Sequence, residues 1–179
     1  MKNLSSYGIR WFAMLFLLFL SVTYLLSAPG KVQVNAEALK LFSPLPTVMS
    51  SHDNPITDAK VTLGRMLYYE PRLSANQKIS CNTCHPLDAY GAEQKPVSTG
   101  FKSQKGSRNA PTVYNAAGHF VQFWDGRAPT VEEQAKGPIL NPVEMAMPSN
   151  AAAVEVLKSM PEYEALFKAA FPKDVDPVT

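Results

Sequence analysis

The sequence predicts an all-α domain whose helices are joined by long ordered loops. Residues 56–71, ITDAKVTLGRMLYYEP, place apolar side chains at helical spacing and end in a proline. Residues 151–160 and 161–171 show two further helical patterns. The stretch from residue 86 to 115 is instead rich in Gly, Pro, Ser, Asn and Lys and has no strand pattern. Because loops of this length in compact domains are usually functional, we expect this one to wrap over a bound group.

The N-terminal segment has the features of an export signal. Lys2 and Arg10 precede an apolar run of 16 residues between Trp11 and Leu26, and a membrane-spanning helix needs ~20. We therefore predict a signal peptide or N-terminal anchor over residues 1–36, with Ala28 and Ala36 as alternative small residues for cleavage. An irregular, proline-containing arm over residues 37–55 then leads into the main domain, residues 56–179.

The positive charge of the chain belongs mostly to this leader. The formal charge is +2, from 17 Lys and Arg against 15 Asp and Glu. Residues 1–36 hold three of the basic residues and none of the acidic ones, which leaves about −1 on the rest. That balance excludes nucleic acid as a partner, since nucleic-acid binding needs a strong basic excess.

Capping residues predict where the later helices begin and end. The capping box TVEE at 130–133 predicts a short helix through Ala135, followed by the turn-rich piece GPILNPVEMAMP. In the last helix, Ser159 is a candidate N-cap, Glu162 completes its capping box, and Pro172 ends the helix.

Both cysteines lie in one motif, SCNTCH at residues 80–85. Two cysteines separated by two residues and followed by histidine are the attachment pattern of c-type haem. We therefore predict that Cys81 and Cys84 bind haem covalently and that His85 is the proximal ligand of its iron. A structural disulfide between Cys81 and Cys84 is one alternative, because the protein is predicted to be exported. A thioredoxin-like dithiol needs a βαβ setting that the sequence lacks, and His52 and His119 do not fall at zinc-finger spacing.

Five blocks of sequence, taken in order, resemble the N-terminal, peroxidatic domain of bacterial di-haem cytochrome c peroxidases, the family that includes the MauG-type enzymes. They are LGRMLYYEPRLS (63–74), CNTCH (81–85), GSRNAPTVYNAA (106–117), QFWDGRAPTVEEQAKGPILNPVEM (122–145) and FPKDVDPVT (171–179). The resemblance covers roughly residues 43–179. It implies a cytochrome c-like haem domain, a haem c cofactor and a periplasmic enzyme that reduces hydrogen peroxide to water. It further implies a small cytochrome c or cupredoxin as electron donor, and a homodimer.

The resemblance also implies roles for individual residues. Gln134 and Glu144 match the two polar residues that the family places above the iron. Trp124 matches the tryptophan between the two haems, and Asn109 matches a ligand of a calcium ion. A carboxylate over the iron can take a proton from peroxide and return it, and an amide can orient the peroxide. Calcium needs six to eight oxygen ligands, so Asn109 alone defines no site.

Two features depart from the family pattern. Phe101 occupies the position at which many of these peroxidases carry a histidine that blocks the iron until the second haem is reduced. Phenylalanine has no donor atom, so we expect an iron that is open without reductive activation. The sequence also has no second CxxCH. We therefore expect either a chain truncated before a second haem domain, which the resemblance favours, or a protein with a single haem.

Two other functions fit the haem motif. In a monohaem electron carrier, Met145 or Met147 would close the sixth position of the iron, and His119 is a further candidate. A MauG-like oxidase would act on a protein or small organic substrate from the same open pocket. An open pocket beneath Glu144 separates the peroxidase from the carrier, and substrate tests separate it from the oxidase.

Overall fold

The computed structural model describes residues 33–174, Asp176 and Val178. Nearly all of the predicted export signal, residues 1–36, therefore lies outside the described residues. The internal contacts of the chain define two units, Met1–Leu45 and Pro46–Thr179. The described part of the first unit contains one short helix, α1 (Ala36–Leu39), capped by the side chain of Asn35. Within the described residues, no helix is both long and apolar enough to cross a membrane.

The second unit is helical, as predicted. Its helices are α2 (Asp58–Tyr68), α3 (Cys81–Cys84), α4 (Val131–Leu140), α5 (Asn150–Lys158) and α6 (Pro161–Ala170). Short 3-10 turns lie between them at Pro71–Leu73, Leu87–Ala89, Phe101–Ser103 and Ala116–Gly118. Over the described residues, the only extended pairings are two isolated bridges, Thr99 with Lys105 and Gln122 with Ala128. The prediction of an all-α fold is confirmed.

Helix α6 packs against both α2 and α5 and brings the hydrophobic core together. Leu63 of α2, Leu157 of α5 and Tyr163 of α6 are all buried there, and Tyr163 is fully buried. The segment after α4 contributes two more buried side chains, Met145 and Met147. The core therefore holds in place the turn from which Glu144 projects.

An ionic cluster ties the turn at residues 71–73 to α6. Glu70 is 5% exposed, and Arg72 donates to both of its carboxylate oxygens at 2.6 Å. The hydroxyl of Tyr163 donates to the same carboxylate at 2.9 Å. These hydrogen bonds, that of Arg72 foremost, lower the pKa of Glu70 to about 2. The buried carboxylate is therefore ionised and paired at neutral pH.

Two predicted helix boundaries were wrong. Helix α4 continues to Leu140 rather than ending at Ala135, with Pro138 inside it. Residue 137 is glycine, which lacks the Cβ that normally clashes with a following proline ring, so the helical conformation survives there. Ser159 does not cap α6. Its hydroxyl donates to the carbonyl of Val156 at 2.7 Å, and Met160 occupies the N-cap position.

Candidate functional site

A cavity of about 490 Å³ lies against the haem-attachment motif. Its wall is formed by that motif, by residues 98–113, by residues 122–127 and by α4 with the turn that follows it. All predicted site residues except Cys81 line it, namely Cys84, His85, Asn109, Trp124, Gln134 and Glu144. Residues far apart in sequence thus meet at one place, as a binding site requires.

The motif itself forms the short helix α3. The hydroxyl oxygen of Thr83 accepts a hydrogen bond from the N–H of Ser80 at 3.0 Å and stabilises the first turn. Burial raises the pKa of Cys81, and it raises the pKa of Cys84 to about 11. A redox dithiol works through a cysteine whose pKa is lowered. The surroundings of these thiols therefore disfavour the dithiol alternative.

Hydrogen bonding fixes the tautomer of the His85 ring. Its Nδ1 lies 2.9 Å from the carbonyl oxygen of Pro111 and 3.2 Å from that of Gly91. Carbonyl oxygens only accept, so in the neutral imidazole Nδ1 carries the hydrogen and Nε2 has the lone pair that can bind iron. A carbonyl bonded to Nδ1–H is the usual partner of a metal-binding histidine.

These features fit a covalently bound haem c. Cys81 and Cys84 supply two thiols on one helical turn, and His85 supplies a ligand nitrogen of fixed tautomer. The cavity beside them has polar and apolar walls, and the apolar part includes Val113, Phe123 and Pro138. Apolar walls with a few placed polar groups are typical of cofactor sites.

Glu144 lies in a turn just after α4 and is partly buried. The side chain of Asn141 donates to its Oε1 at 2.8 Å. Burial raises the pKa of Glu144, while the Asn141 hydrogen bond and the positive charge of Arg127 act in the opposite direction. A carboxyl group of this kind is suited to taking up and releasing a proton.

Helix α4 presents one face to the cavity. Gln134, Pro138 and Asn141 all line it, and their spacing of four and three residues places them along one side of the helix. Thr130 accepts from the N–H of Glu133 at 3.2 Å and fixes the start of the helix. Gln134 is thereby held on a rigid element close to the turn that carries Glu144.

The cavity wall also contains Trp124 and Asn109. The indole N–H of Trp124 donates to the carbonyl of Asn109 at 3.1 Å, and the ring is 59% exposed. Among the described residues, no group of three or more His, Cys, Asp and Glu side chains could hold a metal ion. The calcium role of Asn109 and the relay role of Trp124 stay predictions.

The candidate sixth ligands of the carrier alternative do not line the cavity. Met145 and Met147 are 4% and 6% exposed and belong to the hydrophobic core. His119 is exposed and lies outside the lining set. Phe101 packs against the core, and its N–H donates to the carbonyl of Glu144 at 2.8 Å.

Several lining residues were missed from the sequence. Arg127 places its guanidinium 3.4 Å from the ring centroid of Phe123 and pairs with Asp125 at 2.7 Å. Asn141 positions the Glu144 turn. The pair Asn141-Pro142 carried a usable signal, because asparagine side chains favour local turns of this type.

Comparisons with known proteins identify the family of this chain. Residues 58–179 match the sequence profile of the family described as di-haem cytochrome c peroxidase. Cytochrome c551 peroxidase of Pseudomonas aeruginosa is 48% identical over 145 residues, which cover 80% of this chain and 41% of that protein. Methylamine utilization protein MauG of Paracoccus denitrificans is 42% identical over 140 residues, covering 68% of this chain and 36% of that one.

A solved structure shows the same fold. It is the crystal structure of a MauG-like protein associated with microbial copper homeostasis, at a TM-score of 0.67 and 30% identity. The match covers 83% of this chain and 42% of that one. The chain thus spans less than half the length of these relatives. With the haem motif, the cavity and the matched residues in agreement, the chain belongs to the di-haem cytochrome c peroxidase family.

Proposed function

We propose that this chain is the peroxide-reducing haem domain of an exported cytochrome c peroxidase. The observation that carries the proposal is the position of Glu144, which lines the same cavity as Cys84 and His85 and has a raised pKa. Bound haem would supply the redox chemistry that cleaves the O–O bond of hydrogen peroxide. Haem c is implied by the family and fits the residues described above.

The chain's own residues supply proton transfer and orientation. Oε1 of Glu144 is engaged by Asn141, so Oε2 is the atom available to take a proton from peroxide and return it to the departing oxygen. The amide of Gln134 lines the same cavity and can hydrogen-bond to the peroxide.

Electron supply and location complete the proposal. We expect a small cytochrome c or cupredoxin to deliver electrons past Trp124, which is exposed at the cavity wall. Stopped-flow reoxidation of each reduced donor by the peroxide-treated holoprotein tests this step. We further propose a periplasmic, homodimeric protein, which cell fractionation and sedimentation analysis would test.

Glu144→Gln is the direct test of the catalytic assignment. In the haem-loaded protein, we expect kcat/KM for hydrogen peroxide to fall ~10²–10⁴-fold, the usual contribution of general acid–base catalysis. The matched control is Glu133→Gln, since Glu133 is exposed and pairs with Lys136 instead. Equal rates for Glu144→Gln and the parent protein would contradict the role of Glu144.

A MauG-like oxidase is a second candidate, favoured by the 42% identity to the MauG protein of Paracoccus denitrificans. It would use the same cavity, so the two functions differ only in the reductant. Oxidation of a protein or organic substrate by peroxide, in the absence of a redox-protein donor, would favour the oxidase. An electron carrier is disfavoured, because Met145 and Met147 lie in the core.

A further inference from the structure

Asn141 makes four hydrogen bonds within the turn that carries Glu144. Asn141 is the C-cap of α4, and its backbone carbonyl accepts from the N–H groups of Glu144 and Ala146, each at 2.9 Å. Its Oδ1 accepts from the N–H of Val143 at 3.0 Å, and its Nδ2 donates to Oε1 of Glu144 at 2.8 Å. The backbone and the side chain of Asn141 therefore act on the same short turn.

The side-chain amide of Asn141 has only one orientation that satisfies both partners. Val143 presents an N–H, so the atom that faces it must be an oxygen. An ionised Glu144 presents only lone pairs, so the atom that faces it must be the NH₂ group. A flipped amide would place donor against donor and acceptor against acceptor. The backbone N–H of Val143 thus fixes the amide orientation in which the NH₂ group of Asn141 faces the Glu144 carboxylate.

We propose that Asn141 is a positioning residue, which holds Glu144 in its ionised form and leaves Oε2 as the oxygen that transfers the proton. The role of Glu144 in turnover rests on the proposed function, whereas the effect of Asn141 on the carboxylate does not. An ionised acceptor makes this hydrogen bond roughly twice as strong as one between neutral groups. Protonation at Oε1 would weaken this hydrogen bond, because a neutral hydroxyl oxygen is a poorer acceptor than a carboxylate oxygen.

The other charged groups near Glu144 act at longer range. Burial disfavours its ionised form, and the positive charge of Arg127 favours it. Cys84 is a further titratable neighbour, although attachment to haem would remove its thiol proton. Among the described residues, Asn141 is the one hydrogen-bond partner of the Glu144 carboxylate. Removal of that contact should therefore change the proton affinity of Glu144 directly.

Two variants separate the contact with Glu144 from the turn itself. Asn141→Asp keeps an oxygen for the N–H of Val143 but replaces the donor that faces Glu144 by a second acceptor. Asn141→Ser keeps a hydroxyl that can accept from Val143 and is too short to reach the carboxylate. We expect a raised pKa of Glu144 in both variants, with Asn141→Asp the larger shift at tenfold or more in proton affinity.

The measurement is an infrared pH titration of the haem-loaded protein, with the carboxyl band of Glu144 assigned by its loss in Glu144→Gln. In Asn141→Asp, the two carboxyl groups titrate as a coupled pair. The acid limb of kcat/KM should move to higher pH by the same amount, because the base must be deprotonated. A purely structural role would lower the rate without moving this limb.

Gln104→Ala is the matched control. The Gln104 amide donates to the carbonyl of Pro142 at 3.0 Å, so this change removes another bond to the same turn without touching the carboxylate. An unchanged carboxyl titration in Asn141→Ser, with native circular dichroism and haem spectrum, would overturn the inference even if Asn141→Asp fails to fold. A shifted titration in a protein that does not turn over peroxide would support the role of Asn141 and overturn the proposed function instead.

Discussion

At the scale of single residues, the burial of Glu144 suits its proposed role in proton transfer but lowers the stability of the folded protein. Its burial raises its pKa, which means that the folded protein disfavours the charged carboxylate relative to the unfolded chain. A catalytic base near neutral pH needs such a shift. The protein therefore accepts a loss of stability at the position that we propose as the proton acceptor.

We predict that Glu144→Gln stabilises the protein at neutral pH. A carboxyl group with a raised folded-state pKa contributes stability below its unfolded pKa, and that stability is lost as pH rises through the folded pKa. Glutamine carries no charge, keeps an acceptor for Asn141 and avoids this loss. At neutral pH, Tm should rise by ~2–4 °C for each kcal/mol gained. The gain should vanish in acid, and a lower Tm at pH 7 would contradict the prediction.

At the scale of elements, the loop at residues 98–105 and the turn after α4 are bonded to each other. Phe101 donates its N–H to the carbonyl of Glu144, and Gln104 donates to that of Pro142. Gly100 lies where the backbone of the loop comes closest to the backbone of the turn. A Cβ there would lie 2.2 Å from the carbonyl oxygen of Val143 and 2.8 Å from Cα of Glu144. Only glycine lets the two backbones approach this closely.

We predict that Gly100→Ala displaces the Glu144 turn. The clash involves backbone atoms, so relief requires movement of the loop or the turn, and we expect a loss of ~1–3 kcal/mol in stability together with slower peroxide turnover. Gly64→Ala is the control, because no atom lies within 4 Å of a Cβ in that helical position. It should stabilise the protein by ~0.5–1 kcal/mol. Urea unfolding of both variants is the measurement, and equal stability would contradict the contact.

The sequence predicted local features better than tertiary ones. The haem motif and the helices around Leu63 and Tyr163 follow from residue spacing and the positions of prolines, within a few residues. The extension of α4 through Pro138 depended on Gly137. A Cβ on this residue would lie 3.1 Å from the ring of Phe123. The role of Asn141 depended on the direction in which the Asn141 side chain points from the turn. Neither feature is set by periodicity, so both needed the folded structure.

At the scale of the whole molecule, the fold separates a hydrophobic core from a cofactor cavity. The same chain segment contributes to both, because Glu144 lines the cavity while the next residue, Met145, is buried in the core. Phe101 also packs on the core side. This separation decides which side chains can reach the iron of a bound haem. The methionine spacing in the sequence fits a carrier, but in the fold Met145 and Met147 lie in the core and not at the cavity wall.

We therefore predict a high-spin ferric iron, either five-coordinate or water-bound, in the haem-loaded protein. Met145 and Met147 are buried in the core, His119 is exposed away from the cavity wall, and the amine of Lys105 is bonded to the hydroxyl of Thr99 at 2.6 Å. EPR and absorption spectra of the ferric protein measure the spin state directly. A low-spin signal would contradict the prediction and would make Lys105→Ala and Met145→Leu the next variants to examine.

Phe101→His is the matched comparison for this spectrum. Since the side chain at position 101 packs against the core, we expect the variant to stay high-spin while the loop keeps its present conformation. A low-spin signal confined to Phe101→His would show that the loop can carry this position to the iron. Phenylalanine at this position would then be what keeps the iron of the parent protein open.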